Sequence, residues 1–241
     1  MTPASGSYPR IPLPSVVGVV GCDGAGKSTL TADLIAALRQ DGEVEFLYLG
    51  QSSGNIADWI RGLPLIGPPF GRYLVRRAER AHGKTTSSPD AAAALVMHLL
   101  SRWRAHKFRR MLALCRRGAW VVVDRYPQCE VPGFYFDGPG LDASRPGPWL
   151  VRLLARREQR LYEWMASYVP SLVIRLNIDA DTAHARKPDH KLSMLRDKVR
   201  VIPGLGFNEA RIVDLDGRDP YPQVLDAALR AVRAAMAESR G

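Results

Sequence analysis

Nine consecutive residues, Gly21-Cys22-Asp23-Gly24-Ala25-Gly26-Lys27-Ser28-Thr29, concentrate the chemistry of the chain and fit the spacing G-x-x-x-x-G-K-[ST]. Glycines let a backbone curl so that successive N–H groups converge on one hollow, and the positive end of the helix that follows faces the same hollow. In such a loop Lys27 is expected to reach the β- and γ-phosphates and Ser28 to ligate Mg²⁺, with Gly21, Asp23, Gly24, Ala25, Gly26 and Thr29 completing the cradle. The expected cofactors are ATP and Mg²⁺. A second concentration stands at Asp124-Arg125-Tyr126, directly after an almost wholly apolar run. Mg²⁺ keeps several waters, commonly oriented by a carboxylate at a neighbouring strand end, and Asp124 fits that place beside Ser28. The expected catalytic set is Lys27, Asp124 and Arg125.

These residues need strands and helices to hold them. Ser15 to Val20 reads as a short buried strand feeding the loop, and Leu30, Leu34 and Leu38 recur at helical spacing after it. Further strands are predicted at Val44 to Leu49, Ala119 to Val123, Ser171 to Ile178 and Ala210 to Asp214. Between them, two short helices are expected from Ile56 to Ala81. Ser88-Pro89 caps a long helix to Gly118, Trp149 to Tyr168 reads as another, and Val224 to Met236 carries an apolar helical stripe. Alternating strands and helices imply a three-layer α/β/α fold around a five-stranded parallel sheet, wound with right-handed crossovers.

At 241 residues and 46% hydrophobic composition the chain can bury one substantial core. One domain is expected over residues 15–241, preceded by a mobile tail over residues 1–14. No stretch reads as a signal peptide or approaches membrane length, and three cysteines lack metal-ligand spacing, so a cytoplasmic protein is expected. The formal net charge of +10 favours anionic partners: nucleotides, nucleic acid or an anionic membrane surface. Arginines cluster at Arg72 to Arg80, Arg102 to Arg110 and Arg152 to Arg160. No zinc-finger spacing or aromatic RNA-binding signature accompanies them, which weighs against nucleic acid. The sequence leaves a homodimer possible.

The phosphate loop together with Asp124-Arg125-Tyr126 resembles thymidylate kinase and its relatives. Met97 to Arg102 looks like the helix segment on which that family carries an acceptor-site arginine, and Pro170 to Arg186 resembles its fourth strand and the approach to its lid. The resemblance implies a P-loop kinase that transfers the γ-phosphoryl of ATP to a small acceptor, a nucleoside monophosphate if the substrate type is kept. It implies that Arg125 and Arg102 grip the acceptor, that Asp23 faces it, and that His98 stands where the family stacks an aromatic on the base. A lid near residues 186–200 would bring Arg186, Lys187, Lys191 or Arg196 to the transferring phosphoryl. Three stretches differ from the family pattern: Leu49 to Gly54 carries no arginine, His98 replaces the aromatic, and Pro127-Gln128-Cys129-Glu130 follows Tyr126. The alternatives are a kinase of a non-nucleotide metabolite and a nucleotide-dependent regulatory or nucleic-acid-binding module.

Overall fold

Apolar segments too short to hide by themselves must stack side by side, and here they form one parallel sheet. The computed structural model describes residues 9–50, 91–144 and 146–239. The strands are β1 (Ile11–Gly21), β2 (Val44–Tyr48), β3 (Trp120–Asp124), β4 (Tyr168–Asn177) and β5 (Ile212–Asp216). Their order across the sheet is β2-β3-β1-β4-β5, parallel throughout. The helices are α1 (Lys27–Leu38), α2 (Ala91–Arg116), α3 (Trp149–Ala166), α4 (Ala180–Arg186), α5 (Leu192–Val201) and α6 (Tyr221–Glu238). The helices expected between Ile56 and Ala81, and the Ser88-Pro89 start of the long helix, lie outside the described residues.

Side chains alternate across β1, so Val17 and Val19 pack toward α1 and α6 while Val16 and Val20 pack toward α2 and α3. The three-layer α/β/α architecture follows from that two-sided burial. Because β1 sits between β3 and β4, the loops that follow β1 and β3 emerge side by side at the carboxyl edge of the sheet, where open α/β sheets place ligands.

β1 is longer than its expected core. It begins at Ile11, so Ile11 to Pro14 belong to the sheet and not to the terminal tail: Ile11, Pro12 and Leu13 pair with Tyr168, Val169 and Pro170. The register slips between Leu13 and Val17. Pro14 and Pro170 cannot donate to the ladder, and a slip at that point spares the bonds they would break. The same extension moves the start of β4 back to Tyr168, ending α3 at Ala166.

α2 is 26 residues long, about 39 Å, whereas β3 has five residues. Arg104 of α2 donates to the backbone carbonyl of Arg125 at 2.7 Å, just past β3. The part of α2 before Arg104, roughly 20 Å, therefore projects beyond the edge of the sheet.

Candidate functional site

The turn from β1 into α1 is built from glycines that have different reasons to be there. Gly26, which precedes α1, has φ +93 and open space where a Cβ would stand, so conformation alone demands it. Gly24 has φ +88 and lies so close to α4 that a Cβ would stand 2.7 Å from the Ala183 carbonyl oxygen. The loop is thus pressed against α4, the helix that precedes the segment expected as a lid. The first turn of α1 holds no acidic residue, leaving its positive end uncompensated, and Ser28 and Thr29 are exposed on it.

Lys27 is buried, and its Nζ donates to the Cys22 carbonyl at 2.8 Å. Burial, together with nearby Arg125, pushes its pKa down to about 8, against the pull of Asp124 and Asp23. Cys22 is buried and its thiol pKa is raised by burial, the opposite of what a reactive thiolate needs.

Asp124 ends β3 level with Val19 of β1 and Tyr48 of β2. Its backbone carbonyl accepts from Leu49 N at 2.9 Å. Its side chain is 6% exposed, and among the described residues the Oδ1 atom has no hydrogen-bond partner. Burial pushes its carboxyl pKa up, although Lys27 and Arg125 pull the other way. A buried, unpartnered carboxylate oxygen costs free energy unless a ligand or ordered water completes it. With the exposed hydroxyl of Ser28 on the neighbouring helix turn, the oxygen donors present suit Mg²⁺, a hard cation.

Beside this pair lies a chain of charges drawn from five segments. Asp23 accepts from Arg125 and from Lys198, and His190 Nδ1 lies 3.9 Å from it. Burial alone would raise the Asp23 carboxyl, but Arg125, then Lys198 and Lys27, hold it well below the usual carboxylate range. Arg125 also stands 3.7 Å from Asp137, which accepts from Arg104 at 3.0 Å. Arg104 is 1% exposed and lies within 3.4 Å of the Tyr162 hydroxyl, which closes the series. Arg125 and Asp137 both adopt positive φ, at 68° and 62°, so the two residues that meet here are held in sparsely populated backbone conformations.

The structure brings Arg125, Asp23, Asp124 and Lys27 together. The other expected residues divide. Arg102 is exposed on α2, while Arg104, two residues on, is the arginine that reaches the site. His98 is buried with Nδ1 unpartnered among the described residues, and burial, then Arg102 and Arg157, lower its pKa. Arg186 donates to the Gly217 carbonyl at 3.0 Å and to the Gly24 carbonyl at 3.3 Å, tying the end of α4 to the loop. Lys187, Lys191 and Arg196 are exposed, whereas Lys198, outside the expected set, is 3% exposed, bonded to Asp23 and seated 5.7 Å from the Tyr135 ring.

Arg104 and Lys198, the two cations not expected at the site, share one signal that the sequence does carry. Arg104 falls in line with Leu100, Phe108 and Met111, and Lys198 with Leu195 and Ile202, so each sits on the apolar stripe of its helix. A charge on that stripe must find a buried partner. Lys107 adds a further surprise. The loop after β2 has no cation of its own up to Gly50, yet Lys107 donates to the Gly50 carbonyl and lies 5.2 Å from the Tyr48 ring.

On the other side of the phosphate loop, Ala25, Gly26, Thr29 and Leu30 line a cavity of about 320 Å³. Arg186 and the β5–α6 turn at Gly217 and Asp219 close it.

Fold and site together define an α/β protein of the P-loop type. No family model matches the chain. It is 53% identical over 92% of its length to a protein of Escherichia coli strain K12 named "Uncharacterized ATP-binding protein YghS", covering 93% of that protein. It is 44% identical over 91% of its length to YghR of the same strain, also named an ATP-binding protein, covering 87% of it. The chain belongs to the family of YghS and YghR. Among the described residues, no helix is long and apolar enough to cross a membrane.

Proposed function

We propose that this chain is an ATP- and Mg²⁺-dependent phosphotransferase that moves the γ-phosphoryl group to a small acceptor. The observation that carries this reading is the juxtaposition of buried Lys27, at the end of a glycine-rich loop, with buried Asp124, whose Oδ1 has no partner among the described residues. The ATP-binding names of YghS and YghR support the donor. The chemistry Mg²⁺ would supply here is neutralisation of phosphate charge. Ser28 and Asp124 would hold the ion. Lys27, exchanging the Cys22 carbonyl for phosphate oxygens, would fix the β- and γ-phosphates, and the cavity beneath Arg186 would take the nucleoside end.

The acceptor would approach between the loop and the Asp124 to Asp137 side, where Arg125 and Lys198 neutralise charge during transfer. A nucleoside monophosphate is the acceptor class that the likeness to thymidylate kinase favours. Asp137 favours a second reading, an acceptor without a phosphate, because it already engages both Arg104 and Arg125. The test is ADP release from ATP and Mg²⁺ with panels of both acceptor classes. Lys27→Ala should lower the rate by at least about a thousandfold. If no acceptor raises ADP release above that variant, the reading is wrong.

A further inference from the structure

α2 and α3 lie on the same face of the sheet and run side by side in fixed register. Ser101 donates to Glu158, 57 positions on, and Arg104 meets Tyr162, 58 positions on. On the outer side, Arg102 of α2 and Arg157 of α3 both act electrostatically on His98, so the two helices adjoin there as well. The inner sides of both helices are consumed by the core, through Ala105, Phe108, Met111 and Tyr162. Their outer sides form one surface that looks away from the sheet.

That surface is one-sided in charge. α2 contains no acidic residue, and in α3 Glu158 is buried and Glu163 accepts from Gln159. Arg102 and Arg110 on α2 and Arg152, Arg156, Arg157 and Arg160 on α3 are exposed. Among the described residues no carboxylate pairs with any of them. Such crowding of guanidinium groups is unfavourable for the isolated protein and is relieved by an anionic partner. At the end that projects past the sheet edge, the surface changes character: Trp149 is 70% exposed, Leu95 48% and Leu153 37%.

We propose that this two-helix face docks the protein on an anionic phospholipid surface. The arginines supply attraction to the headgroups, and Trp149, Leu95 and Leu153 supply an apolar tip that enters the headgroup boundary. A nucleic acid would satisfy the arginines but offers no apolar partner to exposed Trp149 and Leu153, one turn apart on α3, or to Leu95. A second copy of this chain would oppose arginine to arginine across a two-fold axis. The tip lies at the carboxyl edge of the sheet, so docking brings the mouth of the site to the membrane surface.

The test is co-sedimentation of the full chain with vesicles of phosphatidylcholine alone and of phosphatidylcholine mixed with phosphatidylglycerol. Binding is expected to the mixed vesicles only, to fall steeply with added salt, and to be accompanied by a blue shift in tryptophan emission that Trp149→Phe removes. Arg152→Glu/Arg156→Glu/Arg160→Glu should weaken vesicle affinity by about a hundredfold or more while its circular dichroism and melting curve match the wild type. Lys27→Ala should bind as the wild type does, which separates this surface from the phosphotransfer reading. Equal binding to neutral vesicles, no binding to either, or tighter binding to duplex or single-stranded nucleic acid that the triple variant abolishes would overturn the proposal.

Discussion

The two sides of the candidate site are built on opposite plans. The side proposed to hold the donor is local: nine consecutive residues make the loop, and the helix they lead into completes it. The side proposed to take the acceptor is assembled from the loop, α2, the end of β3, the segment around Asp137, and α5. A local device is specified by backbone needs that short-range chemistry meets, glycine above all. An assembled device is specified by burial, since a charge taken out of water must find its counterpart wherever the fold brings one. On the donor side Ser28 and Thr29 are exposed and Lys27 is held by a backbone carbonyl of its own loop. On the acceptor side Arg125, Arg104 and Lys198 are engaged by carboxylates distant in sequence.

The sharpest break of this comparison is at Gly24, where both positive φ and the Ala183 carbonyl exclude a side chain. Gly24→Val should lower unfolding free energy by about 4 kcal/mol, combining backbone strain with overpacking, and should abolish nucleotide binding. Denaturant titration and ADP binding would check it. The acceptor side should respond next. Asp137→Ala leaves the buried Arg104 guanidinium without its carboxylate and should cost about 3 kcal/mol in the same titration, with nucleotide binding retained.

Asp23 joins the two sides, and its effect should depend on pH. Its folded carboxyl pKa is depressed relative to the ordinary 3.8 by Arg125, Lys198 and Lys27, which outweigh burial. Protons are then bound preferentially by the unfolded chain, so the stability from Asp23 is present above pH 3.8 and drains away as pH falls below it. Asp23→Asn should cost about 2 kcal/mol at neutral pH and make the acid limb of the stability curve shallower. The smallest effect should come from Arg102→Ala, within about 0.5 kcal/mol, because the side chain is exposed and unpaired among the described residues.

Backbone requirements are the most legible part of this sequence, and charge pairings the least. Hydropathic runs locate all five described strands, and the loop between the first strand and helix is legible down to single residues. The start of β1 is hidden because Pro12 and Pro14 look like a strand breaker, whereas an irregular ladder opposite Pro170 absorbs them. Likeness to a family position points to Arg102, although only Arg104 lies on the apolar stripe that turns inward.

What the sequence by itself determined was the glycine-rich loop and the sheet that presents it. Glycine spacing, a lysine before a helix and alternating apolar runs each act through contacts a few residues apart. What only the tertiary structure decided was which charges meet: that Lys198 and Arg125 share Asp23, that Asp137 engages Arg104, and that two arginine-rich helices lie side by side in register. Pairings across long stretches of chain depend on how helices rotate against the sheet, and that rotation is fixed by packing of the whole core.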